Sequence, residues 1–144
     1  MPTLLFAQND NIPVPIATET TLVSLSPITT RVGQQIKFDS MAHLVVNVDV
    51  QPDYLIRIFF GLKRVTGTTS TVIASYSNWH SQTNSPESPS EIGTKYEMLP
   101  LTITWVDTPS PGTHIYSIFL HIGVVNNVYE MFVPITSLNA ITFP

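Results

Sequence analysis

Residues Leu55 to Leu62 are apolar on both sides of the strand they predict, and this limits the possible folds more than any other feature of the chain. At a two-residue period Ile56, Ile58, Phe60 and Leu62 fall on one side, and Leu55 and Phe59 on the other. A sheet covered on one side only by its own core alternates instead, as Leu99, Leu101, Ile103 and Trp105 do against Pro100, Thr102 and Thr104. A single core in a chain of 144 residues does not bury both sides of the first segment. The excess predicts contact with a neighbouring subunit, and so an obligate assembly rather than a free enzyme. Charge points the same way: only 11% of residues are charged, against about a quarter in an ordinary soluble domain, which leaves little surface to solvate.

The net charge is −4, and the six basic residues (Arg31, Lys37, Arg57, Lys63, Arg64, Lys95) form no cluster larger than Lys63-Arg64. This disfavours nucleic-acid binding, so no nucleic-acid partner is expected. There is no cysteine, which removes disulfide scaffolds, thiolate metal sites and cysteine nucleophiles together. No segment reaches the roughly 18 apolar residues of a membrane span, and no membrane partner is expected. The first ten residues have no basic stretch and an apolar run only from Leu4 to Ala7, so they do not read as a secretory signal.

Two units are expected along the chain. Residues 1–16 read as an extended arm: an apolar plug of Leu4, Leu5 and Phe6, a polar stretch, then Ile12-Pro13-Val14-Pro15-Ile16, whose prolines hold the backbone extended and withhold ladder donors. Residues 17–144 read as an all-β body, with no helical period sustained over ten residues. Strands are predicted over 19–25, 34–39, 41–50, 54–66, 70–77, 98–106, 113–123, 128–133 and 138–143. Within 41–50, Ala42, Leu44, Val46, Val48 and Val50 line one face against His43, Asn47 and Asp49. Gln51-Pro52-Asp53, Thr66-Gly67-Thr68 and Asp107 to Gly112 carry turn chemistry. Ser77 to Glu97 reads as one long polar loop. Short strands at this spacing predict a two-sheet antiparallel jelly-roll sandwich.

The chemistry-bearing residues form no catalytic set. There is no Gly-x-Ser-x-Gly elbow, no phosphate loop and no acid and base in a recognisable setting, so no enzyme, no catalytic residue and no cofactor is expected. His114 and His121 lie an odd number of residues apart on one predicted strand and point to opposite faces, so they cannot share a metal without a bulge. His43 shares a wet face with Asn47 and Asp49. Asp39, Asp49, Asp53 and Asp107 form no Asp-x-Asp loop closed by a glutamate. No metal site is therefore assigned. Tyr76, Trp79 and His80, where strand gives way to loop, are the candidate receptor or sugar contact.

The stretch from Leu101 to Ser117, an apolar strand followed by Asp107-Thr108-Pro109 and then Gly112-Thr113-His114-Ile115-Tyr116-Ser117, resembles bacterial and phage members of the TNF/C1q-like superfamily. The closing Ser137 to Pro144 is similar to the last strand of those heads. The resemblance implies a ten-stranded jelly roll assembled as a homotrimer, as in the heads of Bacillus spore-surface (exosporium) filaments. Ile103, Phe119 and Ile141 are the candidates for lining the threefold axis. No collagen repeat precedes the domain. Instead the arm resembles the N-terminal connectors of endospore appendage fibres, which implies that Leu4, Leu5 and Phe6 anchor in the next subunit while Ile12, Pro13, Val14 and Pro15 act as spacer.

These readings converge on a structural subunit of an extracellular fibre or spore-surface appendage. Its partner is itself, with a spore-surface anchor protein or a tip adhesin as further partners. The alternative is a trimeric receptor-binding head of a phage or bacterium, placed on a virion tail fibre in the phage case.

Overall fold

The computed structural model describes residues 1–49, 54–82 and 93–144. Among them the chain forms strands β1 (Thr3–Pro13), β2 (Glu19–Ser24), β3 (Ile28–Thr30), β4 (Gln35–Asp49), β5 (Tyr54–Thr66), β6 (Thr69–Gln82), β7 (Thr94–Asp107), β8 (Gly112–Asn126) and β9 (Val128–Phe143). They build two antiparallel sheets, one in the order β1-β9-β4-β7 and the other in the order β2-β8-β5-β6, with β3 also on β8. This interleaving is that of a jelly roll, and the all-β two-sheet reading holds. The ten-stranded form implied by the resemblance is not what is seen: nine strands are present among the described residues.

The core lies between the sheets and follows from alternation. On β4, Phe38, Ala42, Leu44, Val46 and Val48 turn inward, and on β5, Ile56, Ile58, Phe60 and Leu62 face them. Leu99, Leu101 and Ile103 of β7 join them, while Trp105 at the sheet margin stays 46% exposed. Gly67, at φ 58°, makes the two-residue turn between Thr66 and Thr69, and Asn127, at φ 57°, turns β8 into β9. Glycine and asparagine accept this left-handed geometry at least cost.

Pairing extends well beyond the predicted strands. The candidates 34–39 and 41–50 are one strand, β4, and 128–133 and 138–143 are one strand, β9, carried through Pro134. The register between β4 and β9 shifts between Ala42 and Val45, which gives that proline an irregular step where no ladder donor is needed. Asn11, at φ 48°, sits across from the same level on β1, where the pairing skips from Asp10 and Ile135 to Ile12 and Val133. The three residues of β3 are too few to show a period. The predicted loop 77–97 needs correction at both ends, because residues through Gln82 pair with β5 and residues from Thr94 pair with β4. Backbone groups there are satisfied across the sheet whatever the polarity of the side chains. Residues 83–92 of that loop lie outside the described residues, as do Gln51-Pro52-Asp53.

Candidate functional site

Within residues 1–16, read from sequence as an extended arm, residues 3–13 are the edge strand of the four-stranded sheet and pair with β9 from Thr3 and Thr142 to Pro13 and Phe132. The division at residues 16 and 17 falls in the stretch between β1 and β2, and the segment before it is paired with the body. Because β1 is an edge, every second N–H faces away from the sheet. Pro13 and Pro15 occupy such places, while Val14 between them is buried and its N–H donates to the Met131 carbonyl at 3.1 Å. The stretch Ile12 to Ile16, expected to be kept from donating by its two prolines, thus donates to β9 through Val14.

The plug residues divide by parity. Leu5, with Ala7 and Ile12, packs against the core, and the Asn9 amide donates to the Leu22 carbonyl at 3.0 Å. Leu4 and Phe6 point outward, 69% and 60% exposed. At the far end of the same strand Pro13, Val14, Pro15 and Ile16, with Val128, Tyr129 and Met131, line a largely apolar groove of about 460 Å³. Glu130 borders it.

The three candidates for a trimer axis fall on three different surfaces, so they do not form one seam. Ile103 belongs to the core between the sheets. Ile141 is half-buried on the outer face of the four-stranded sheet, opposite Leu4 and Lys37. Phe119 is on the outer face of the other sheet, pressed against Gly61 with the Lys63 ammonium 4.8 Å from its ring. Alternation assigned each residue a face of its own strand, but the strand order decided which faces meet.

Tyr76, Trp79 and His80 separate in the same way. Tyr76 turns inward and its ring lies 5.7 Å from Phe60. Trp79 turns outward, 51% exposed, directly across from Arg57. The Arg57 guanidinium lies 5.1 Å from the Trp79 ring and 4.6 Å from that of Phe59. His80 belongs to a polar clamp that sequence reasoning did not assemble. Its Nε2 is 3.6 Å from Glu97, which also accepts from the buried Tyr54 hydroxyl and, at 2.9 Å, from Lys95. The clamp joins β5 and β6 of one sheet to β7 of the other. Burial pushes the Tyr54 phenol far above its usual range, and the hydrogen bond to Glu97 adds to this. Burial opposes ionisation of Glu97, yet the donors from Tyr54, Lys95 and His80 prevail and its carboxyl is held below the usual value. No local spacing signals this set, since Tyr54, His80 and Glu97 come together only through the sheet order.

The remaining histidines have structural surroundings. His114 is buried, with Nδ1 2.7 Å from the Thr66 hydroxyl and Nε2 2.9 Å from the Ser110 carbonyl. A carbonyl only accepts, so Nε2 carries the proton. His121 is on the opposite face of β8, its ring 5.7 Å from Phe59, as the odd spacing predicted. Asp107 accepts from Arg64 at 2.7 Å and Tyr116 at 2.8 Å, and Asp39 accepts from Thr104 at 2.8 Å. Among the described residues no three histidine or carboxylate groups come close enough to hold a metal ion, and no helix is long and apolar enough to cross a membrane.

No protein-family model matches the chain, and no curated protein does. Among solved structures it is similar to that of the infectious bursal disease virus Gx strain, with TM-score 0.43 and 14% identity over 97% of this chain and 32% of that one. It is also similar to dimeric latent PorU from Porphyromonas gingivalis, with TM-score 0.46 and 8% identity over 97% of this chain and 12% of that one. The chain thus spans about a third of the first chain and about an eighth of the second. Likenesses this distant carry no functional argument.

Proposed function

We propose that this chain is a structural subunit that assembles with copies of itself, a TNF/C1q-like homotrimer polymerising through its N-terminal strand into an extracellular fibre or spore-surface appendage. The observation that supports this reading is the build of β1, with exposed Leu4 and Phe6 toward one end and the apolar groove of Pro13 to Ile16 at the other. Burying two large apolar side chains in such a groove contributes about 1.5–3 kcal/mol each. A contact that joins one end of β1 to the other end on the next copy is heterologous. Each added copy leaves one end unsatisfied, so the contact propagates as a filament wherever the rotation between copies does not close a ring. Lateral contact within the trimer uses the outer face of the four-stranded sheet, where Met98, Val45 and Phe132 lie in register across β7, β4 and β9.

Negative-stain microscopy and native mass spectrometry of the wild type beside a Leu4→Ser, Phe6→Ser variant test the reading. Filaments from the wild type and discrete trimers of unchanged thermal stability from the variant support it. A stable wild-type monomer at micromolar concentration, or variant filaments of normal length, overturns it. The second reading, a receptor-binding head, draws support from the exposed Trp79 beside Arg57. Discrete wild-type trimers that adhere to cells would favour it.

A further inference from the structure

We propose that the outer face of the β2-β8-β5-β6 sheet carries a binding site for an acidic saccharide, a pyranose bearing a carboxylate, built on Arg57 and Trp79. Arg57 stands opposite Trp79 on the β5–β6 ladder, and Phe59 follows two residues later on the same face. Its guanidinium is held between the two rings, at 4.6 Å and 5.1 Å from their centroids, and its Nε lies 3.4 Å from the Ser77 hydroxyl. Such a group is oriented before any ligand arrives. Among the described residues no carboxylate pairs with it. The neighbouring cation on this face, Lys63, is neutralised by Glu19. Among the described residues the face therefore offers one fixed, unneutralised planar cation.

The ligand class follows from that geometry. A guanidinium presents parallel donors that match the two oxygens of a carboxylate. Trp79, half exposed beside it, offers a flat apolar surface of the kind that stacks on the C–H face of a sugar ring. Ser77 and Ser81 are exposed on the same side of β6 and supply hydroxyls to the ring substituents. One cation suits one carboxylate. A nucleic-acid backbone or an anionic membrane needs a field of them, and the chain has net charge −4.

The test is titration of trigalacturonate and of its methyl ester, followed by Trp79 fluorescence in a Trp105→Phe background so that one indole reports. The acid is expected to bind in the submillimolar range and the ester at least tenfold more weakly. Arg57→Gln should weaken the acid by a similar factor without changing the ester. Arg57→Lys, which keeps the charge and loses the fork, should fall between, and it decides the matter if the Gln variant does not fold. Equal binding of acid and ester, unchanged affinity in Arg57→Gln, or no binding of the acid at millimolar concentration overturns the proposal. The site does not depend on filament formation, so its failure leaves the fibre reading standing.

Discussion

Phe119 rests on Gly61 so closely that a Cβ added at Gly61 would stand 2.7 Å from the ring and 2.7 Å from the Ala74 carbonyl oxygen. That is how a phenylalanine on the outer face of a sheet comes to be only 6% exposed. Phe59 does the same over Gly123, where an added Cβ would stand 2.9 Å from the ring. Gly123 is the extra residue where the β5–β8 register shifts between Arg57 and Ile58. Part of the apolar excess that implied an external partner is thus covered within the chain.

Gly61→Ala is therefore expected to destabilise the fold by about 1–3 kcal/mol, the usual cost of overpacking. Rotating Phe119 cannot relieve the clash with the backbone carbonyl. Equilibrium urea unfolding measures it; a midpoint equal to wild type would show that β5 and β6 separate freely at this point.

His114→Phe should cost about 1–3 kcal/mol, because the buried ring gives up its bonds to the Thr66 hydroxyl and the Ser110 carbonyl, and the buried Thr30 hydroxyl is left to bond the Ser110 carbonyl by itself. Tyr116→Phe, which leaves Asp107 its pairing with Arg64, should cost only about 1 kcal/mol. The order of the two unfolding midpoints is the check, and a reversed order would contradict this account of the turn from Asp107 to Gly112.

Stability should fall on both sides of neutrality. Tyr54 and Tyr116 have folded pKa values raised by burial first and then by hydrogen bonds to carboxylates. Their contribution is complete below the ordinary phenol value of 10.0 and is lost as pH rises above it. The depressed carboxyl of Glu97 contributes above its ordinary value of 4.5, and that contribution is lost as pH falls through the folded pKa. Tyr54→Phe should flatten the alkaline limb and weaken the acid one, since Glu97 loses a donor. Unfolding midpoints from pH 3 to pH 11 test this, and an unchanged alkaline limb in the Tyr54→Phe, Tyr116→Phe double variant would be inconsistent with it.

Deleting residues 1–13 should destabilise the body by about 3–5 kcal/mol, because Leu5, Ala7 and Ile12 leave the core and the β9 edge is opened. Leu4→Ser should leave thermal unfolding unchanged, since that side chain faces outward. Scanning calorimetry under conditions that keep both proteins unassembled distinguishes them; equal melting temperatures for the truncated and intact chains would mean that β1 is not part of the cooperative unit.

The residues by themselves determined much of the fold. The two-residue period of Ala42, Leu44, Val46 and Val48 set the inward face of β4. Gly67 marked its turn, and the odd spacing of His114 and His121 put them on opposite faces. These properties are local, because side-chain direction and turn geometry depend on neighbours a few residues away. What the tertiary structure alone decided is which strand lies beside which. It put β1 against β9, extended pairing through the polar ends of β6 and β7, set Gly61 under Phe119, and gathered Tyr54, His80 and Glu97. A ladder hydrogen bond is satisfied by backbone atoms far away in the chain and takes no account of side-chain polarity. A single strand's alternation therefore shows two faces without showing which of them another strand will cover.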